Sequence, residues 1–435
     1  MIRAPQVQPV TNPRGPSRLV LAAFGAFLIL ANLVAFRHAI GWDVFHNTDS
    51  EVMLGVARTA GWRQAWGWIT GPWIGAPLCL YYRPTSSWLM WGEWALFGWN
   101  EAGYQWVGMA LHLGSALLLW RISAALLASE SLGAVAALIF SLRPSNVRTL
   151  ATLTAQPDLV AAVFLFLSLF ALVRYLRSHD PQRSAGERPL GGTRGLLLAG
   201  SLVAALLSLG GKEMALSLPL LASLVVLFDR HSPRRRKAWL LAAYWATFAL
   251  FMLGRTFAMS GLGYIPKGWR DPAQALVTYS RSAGLYFAYP FASAVVVKEW
   301  WPLAMFGVIA AYAGAAWRWP ALRQERALIY GVAPGLVGAA FGFAVLFAGE
   351  WEALLTSYPW SLLGLMLLYA VGAGLVIGRE RRAALFVLLW GLFAFAPAAY
   401  RVYDWSGKSF YLPQTFWAFA GALLVEAVVA IRLKR

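Results

Sequence analysis

Acidic, basic and aromatic residues gather at a few short places between long apolar runs of this chain. The first place holds Asp43 and the cluster Asp49-Ser50-Glu51. A carboxylate whose pKa is raised by burial or by a neighbour can take the proton of an acceptor hydroxyl. The plainer alternative is a solvated loop acid. His46 lies nearby, without the partner His or Cys residues that a metal site needs.

The second place is Tyr81-Tyr82-Arg83-Pro84-Thr85-Ser86-Ser87. An Arg-Pro step puts a permanently charged fork at a helix start, where free backbone N–H groups also favour an anion. An interfacial anchor is the competing reading. Three further groups follow the same logic. Arg143-Pro144 leads to Gln156-Pro157-Asp158, with Asp158 either a helix-start charge or the partner of an arginine. In Gly210-Gly211-Lys212-Glu213 the two charges either serve function or neutralise each other. Arg401-Val402-Tyr403-Asp404 precedes Lys408 and Tyr411, which could contact a phosphate or a sugar, or anchor at an interface.

The elements that must position these residues are membrane helices. Of the 435 residues, 59% are hydrophobic and 13% charged, with a mean hydropathy of +0.57. Soluble domains carry about 25% charged residues, so a soluble class is excluded. The single cysteine, Cys79, excludes an internal disulfide framework and a Cys-rich metal site. A helix needs about 20 mainly apolar residues to cross the hydrocarbon. Twelve such segments are expected near 19–40, 104–127, 131–142, 157–176, 195–210, 213–228, 238–257, 301–317, 327–348, 360–378, 383–399 and 411–431.

The formal net charge of +18 invites a nucleic-acid reading. Cytoplasmic loops, however, hold the excess of Lys and Arg. The clusters Arg174 to Arg194, Arg230 with Arg234 to Lys237, Arg318 to Arg326, Arg379 to Arg382 and Arg432 to Arg435 fall on one side if the stretch 278–297 does not cross. That stretch then reads as a re-entrant hairpin on the outer side, kinked at Pro290. About +16 of the charge lies inside and about +2 outside. Orientation thus accounts for most of it, and nucleic acid is not needed.

The expected organisation is a flexible cytoplasmic tail over 1–17 and a transmembrane module over 18–257, which includes a long outer loop, 41–103. An outer loop and hairpin over 258–300 and a C-terminal transmembrane module over 301–435 follow. Within the outer loop, Val52 to Trp68 carries enough apolar positions for an amphipathic helix lying along the interface. All five chemical places fall on the outer face. Such a set suits a lipid-linked anionic donor, with an acid to activate a hydroxyl and cations to hold the departing phosphate.

The order of these motifs resembles the membrane-embedded GT-C glycosyltransferases that use polyprenyl-phosphate sugars. The likeness is greatest to the tetratricopeptide-linked transmembrane O-mannosyltransferases and their bacterial relatives. It rests on Asp49 and Glu51, Tyr82-Arg83-Pro84-Thr85 with Leu96-Phe97-Gly98 and Gly103-Tyr104, and Pro144 and Val147 before Asp158-Leu159-Val160-Ala161. It continues through Lys212-Glu213-Met214-Ala215, Leu218-Pro219, Asp229, Tyr289-Pro290 and Tyr411-Leu412-Pro413.

The resemblance implies an all-α polytopic fold and an inverting transfer in which Asp49 is the base and Glu51 its partner in acceptor binding. It places Arg83 and Lys212 near the donor phosphate, with Lys408 and Tyr411 at the rim, and the charged places noted above add Arg143, Asp158 and Glu213 as candidate donor- or substrate-binding residues. No cofactor is required, and whether a divalent cation assists the acid pair stays open. The implied partners are a polyprenyl-phosphate sugar, the bilayer, and a glycan, lipid or protein acceptor. The implied setting is a bacterial inner membrane with both termini cytoplasmic, the site facing the periplasm and the donor lipid beside the hairpin.

The chain departs from the family where it has Arg143-Pro144 in place of His-Pro, Gln156-Pro157 in place of Gly-Arg, and Lys408-Ser409-Phe410 in place of Glu-Arg-Tyr. It also lacks a helical-repeat segment, so a peptide acceptor held by one is not expected. A flippase for a lipid-linked sugar, or an O-antigen ligase or polymerase, is the alternative reading.

Overall fold

The computed structural model describes residues 18–41, 48–75, 81–143, 146–179, 193–260, 381–398 and 411–423. The chain divides into two compact units, Met1–Ile265 with Trp405–Ala422, and Pro266–Asp404 with Leu423–Arg435. Among the described residues there are helices and turns and no strand.

The first unit contains α1 (Arg18–Ala35), α2 (Thr48–Thr59), α3 (Trp62–Gly67), α4 (Pro84–Phe97), α5 (Glu101–Leu126) and α6 (Glu130–Ser141). These are followed by α7 (Asn146–Ala151), α8 (Gln156–Arg177), α9 (Thr193–Leu209), α10 (Leu218–Phe228) and α11 (Arg234–Ala258). The second contains α12 (Arg381–Phe395), which buries Phe386, Val387, Trp390 and Phe395. The helix 415–423 is α13, and all of it but Leu423 belongs to the first unit.

Among the described residues, three stretches are long and apolar enough to cross a membrane: Glu101–Leu126, Leu153–Arg177 and Arg234–Ala258. Five apolar helices are shorter: Leu19–Ala35, Glu130–Ser141, Thr193–Leu209, Glu213–Phe228 and Leu385–Phe395. The fold is therefore that of a multi-pass helical membrane protein. The expected spans at 301–317, 327–348 and 360–378, and the hairpin at 278–297, lie outside the described residues.

Lipid tails are as apolar as leucine, so close packing and polar contacts hold membrane helices together. α8 is the centre of the first unit and buries Leu159, Leu165, Phe166, Leu169 and Leu172 completely. Ser208 of α9 donates to the Ala161 carbonyl at 2.7 Å. Deeper in the unit, Ser201 Oγ donates to the Ser168 carbonyl at 2.6 Å and lies 2.6 Å from Tyr244 Oη, tying α8, α9 and α11 together.

The outer loop departs from the single amphipathic helix expected over Val52 to Trp68. It forms α2 and α3, separated at Ala60-Gly61, with Gly61 extended as the cap of α3. Ser50, Met53, Leu54 and Ala57, spaced as one helix face, are all buried. Leu54 packs with Tyr104 and Leu153, and Met53 and Ala57 with Ile74 and Met90. Helix α2 is thus held by protein on this face.

Candidate functional site

Three helices near the site begin with a proline in their first turn: Pro84 in α4, Pro157 in α8 and Pro219 in α10. The first helical position costs proline nothing, because its missing N–H would have had no partner there. The charged residues singled out from the sequence sit just at or before these starts. Asp158 is in the first turn of α8 and Glu213 opens the 3-10 turn Glu213–Ser217 ahead of α10, both complementing a helix dipole. Arg83, the N-cap of α4, has the opposite sign and requires a counter-charge.

Glu213 supplies it, across 130 residues of sequence. Arg83 Nε donates to Glu213 Oε2 at 3.0 Å and Oε1 at 3.1 Å, and Nη2 donates to Oε2. The guanidinium carbon lies 4.6 Å from the Trp73 ring centroid and 4.4 Å from that of Tyr81. A planar, weakly hydrated guanidinium suits such stacking. Trp73 reaches this position through a turn in which Ile74 adopts a left-handed backbone, φ 51° and ψ 19°, which is unusual for a β-branched residue. The Trp73 amide donates to the Tyr81 carbonyl at 2.8 Å, closing that turn against the residues before α4.

Lys212 and Glu213 do not neutralise each other as neighbours. Lys212 Nζ donates to Asp158 Oδ2, so the two cations and two anions are paired crosswise. Lys212, Asp158 and Arg83 are all buried. Burial pulls the Lys212 ammonium below its usual pKa, and the Asp158 carboxylate works against that pull. Asp158 therefore combines both expected roles, with a lysine rather than an arginine as its partner.

The preceding glycines explain how these elements come so close. A Cβ on Gly210 would lie 2.5 Å from Thr85 Oγ1 and 3.2 Å from Pro84 Cγ. One on Gly211 would lie 2.9 Å from both N and Cα of Ala161, which are backbone atoms of α8. The freed space is used by hydrogen bonds. The Thr85 amide donates to the Gly210 carbonyl at 3.0 Å, and Ser86 Oγ donates to the Gly211 carbonyl at 2.8 Å.

An apolar cavity of about 770 Å³ opens beside this cluster. Trp66, Trp88, Leu206, Leu250 and Phe251 help to line it, and Tyr82, Pro84 and Thr85 on either side of Arg83 form part of its wall. It lies among α3, α4, α9 and α11, whereas the sequence places the lipid groove beside the hairpin at 278–297. Trp66 and Trp88 belong to a cluster with Trp62 and Trp91, with ring centroids 5.5 to 6.2 Å apart.

The other expected site residues are placed as follows. Asp49 and Glu51 open α2. Glu51 is exposed, while the side chain of Asp49 lies outside the described residues. Arg143 donates to Gln414 at 3.3 Å, and Gln414 in turn donates to Asn146 at 2.9 Å. Tyr411 is not at a rim. It is buried, with its hydroxyl 2.6 Å from His112 Nδ1, and His112 Nε2 lies 3.1 Å from Asn32 Oδ1. Asp43, His46, Pro144 and Lys408 lie outside the described residues.

One acid was missed. Glu93 of α4 is 2% exposed, bonded by Gln156 at the start of α8, and its Oε2 has no partner among the described residues. Burial pushes its carboxyl up to about 8, so it is protonated at neutral pH or close to it. Its signal in the sequence is a lone acid within the tryptophan-rich run Trp88 to Phe97.

Half of this crosswise cluster, Arg83 and Asp158 at the starts of α4 and α8, falls within a stretch that known proteins share. Residues 81–186 match the family model of dolichyl-phosphate-mannose-protein mannosyltransferases. The matched stretch contains Arg83, Glu93, Arg143 and Asp158, and stops before Lys212 and Glu213. It supports a membrane glycosyltransferase of the GT-C type. No curated protein and no solved structure matches the chain.

Proposed function

We propose that this chain is an inverting glycosyltransferase that moves one sugar from a polyprenyl-phosphate carrier to an acceptor at the outer face of a bacterial inner membrane. The observation that carries this reading is the apolar cavity whose wall runs through Tyr82, Pro84 and Thr85, the residues that bracket Arg83. An isoprenoid chain suits such a wall, and a phosphate at its end would meet the Arg83 cluster.

In this reading the acceptor hydroxyl gives its proton to the Asp49 carboxylate, and its oxygen attacks the anomeric carbon from the face opposite the phosphate. The bond from that carbon to the phosphate oxygen breaks, and the electron pair leaves with the polyprenyl phosphate. Arg83 stabilises the added negative charge while still sharing its fork with Glu213. The Lys212–Asp158 pair holds the second cation within the same cluster. Preorganised cations of this kind favour the charge that develops in the transition state. Arg143 and Lys408 assist donor binding, and Tyr411 acts by anchoring its segment on His112.

The test is transfer from synthetic polyprenyl-phosphate sugars by the purified full-length chain. Asp49→Asn is expected to lose about 10² to 10⁴ in turnover, the share typical of a general base. Wild-type turnover in Asp49→Asn would remove Asp49 from the mechanism.

A further inference from the structure

At the other end of α11 from the cavity, the helix starts with Arg234-Arg235-Arg236-Lys237, and its first turn contains no acidic residue. The N-terminus of a helix carries a partial positive charge and unpaired N–H groups. Four cations there are mutually repelling and repelled by the dipole. One of them is accounted for: Lys237 donates to the carbonyls of Leu227 and Asp229 at the end of α10. The nearest acid in sequence, Asp229, is buried and accepts from the Ser232 and His231 amides. Arg235 and Arg236 have no hydrogen bond or ion pair among the described residues.

These two arginines line a cavity of about 290 Å³ together with Tyr175, Pro233, Trp239 and Leu240. Arg177 and Arg194 are not among its lining residues, and donate instead to the Ala125 carbonyl at 2.6 Å and the Ser178 carbonyl at 2.8 Å. The volume is that of a small ligand or a headgroup. Trp239 is 65% exposed, as suits an indole at the level of lipid headgroups, and the apolar run Leu240-Leu241-Ala242-Ala243 follows it.

We infer that this cavity binds the phosphate headgroup of an anionic phospholipid, held by Arg235 and Arg236 and flanked by Trp239 and Tyr175. The site is separate from the proposed transfer chemistry and requires only that α11 span the bilayer. Clustered arginines between membrane helices suit anionic headgroups, and each phosphate contact is a charge-assisted hydrogen bond.

The experiment is native mass spectrometry of the detergent-purified full-length chain titrated with phosphatidylglycerol or phosphatidylcholine. Retention of phosphatidylglycerol in preference to phosphatidylcholine is expected, weakened about tenfold or more in R235Q/R236Q. R234Q, which removes a charge outside the cavity, is expected to bind as the wild type does. R235K/R236K keeps the charge and guards against a folding defect, and is expected to lose less than the glutamine pair. Three results would overturn the site: unchanged binding in R235Q/R236Q, an equal loss in R234Q, or displacement of the lipid by equimolar glycerol phosphate, which would point to a soluble phosphate.

Discussion

Two groups of cations occupy opposite ends of the first unit, and they are handled in opposite ways. At the cavity end, Arg83 and Lys212 are buried and each holds a carboxylate, Glu213 and Asp158. At the start of α11, Arg234, Arg235 and Arg236 lie at the surface with no acid in their turn. A buried charge cannot stand unpaired at reasonable cost, whereas an exposed one can. The neutral cluster is therefore fixed architecture around which chemistry can be organised. The unpaired cluster is open to an anion from solution or lipid.

The largest effect is expected from breaking one buried pair. Arg83→Ala should lower stability by about 3–5 kcal/mol, because it strands the Glu213 carboxylate. Arg83→Met combined with Glu213→Leu should recover most of that loss without recovering transfer. Thermal unfolding in detergent, run beside the transfer assay, separates the two. Equal stability of the single and double variants would show that Glu213 does not depend on Arg83.

A second effect sharpens the contrast through pH. The folded chain holds the Glu93 proton up to about pH 8, whereas the unfolded chain releases it near 4.5. Between those values the folded state binds more protons. The Glu93 contribution is complete below about pH 4.5 and is lost as pH rises towards 8, at up to about 1.4 kcal/mol per pH unit. Melting temperatures taken from pH 5 to 9 should fall more steeply in the wild type than in Glu93→Gln. Parallel slopes would mean that Glu93 ionises normally.

Gly211→Ala comes next, at about 1–3 kcal/mol, since its methyl group would press on α8 backbone that cannot swing aside. The same melting measurement checks it, and a silent substitution would show that α8 and the Gly210-Gly211 turn are not so tightly apposed. The smallest effect lies at the other cluster. Arg234→Gln should stay within about 0.5 kcal/mol of the wild type, as surface substitutions usually do.

Much of the scaffold was legible because apolar runs and Pro or charge punctuation are local. The spans expected at 104–127, 157–176 and 238–257 became α5, α8 and α11, and the Arg83-Pro84 step does open a helix. Partners across the fold were not legible. No local pattern tells that Arg83 meets Glu213, that Lys212 meets Asp158, or that Tyr411 turns inward to His112. Glu93 escaped because a lone acid among tryptophans resembles an interfacial anchor until its burial is known. The expected amphipathic helix over Val52 to Trp68 overlooked Gly61, which stops α2 from running into α3.

The central claim is that the cavity and the Arg83 cluster together receive a lipid monophosphate. Equilibrium binding of a polyprenyl phosphate to the purified full-length chain tests it most directly, measured against the uncharged polyprenol and the diphosphate. The account predicts that the monophosphate binds most tightly, and that binding weakens both in Arg83→Lys and in Leu207→Trp, which fills the cavity from a residue that lines it beside Leu206. Equal binding of polyprenol and monophosphate, or full affinity in both variants, would contradict it.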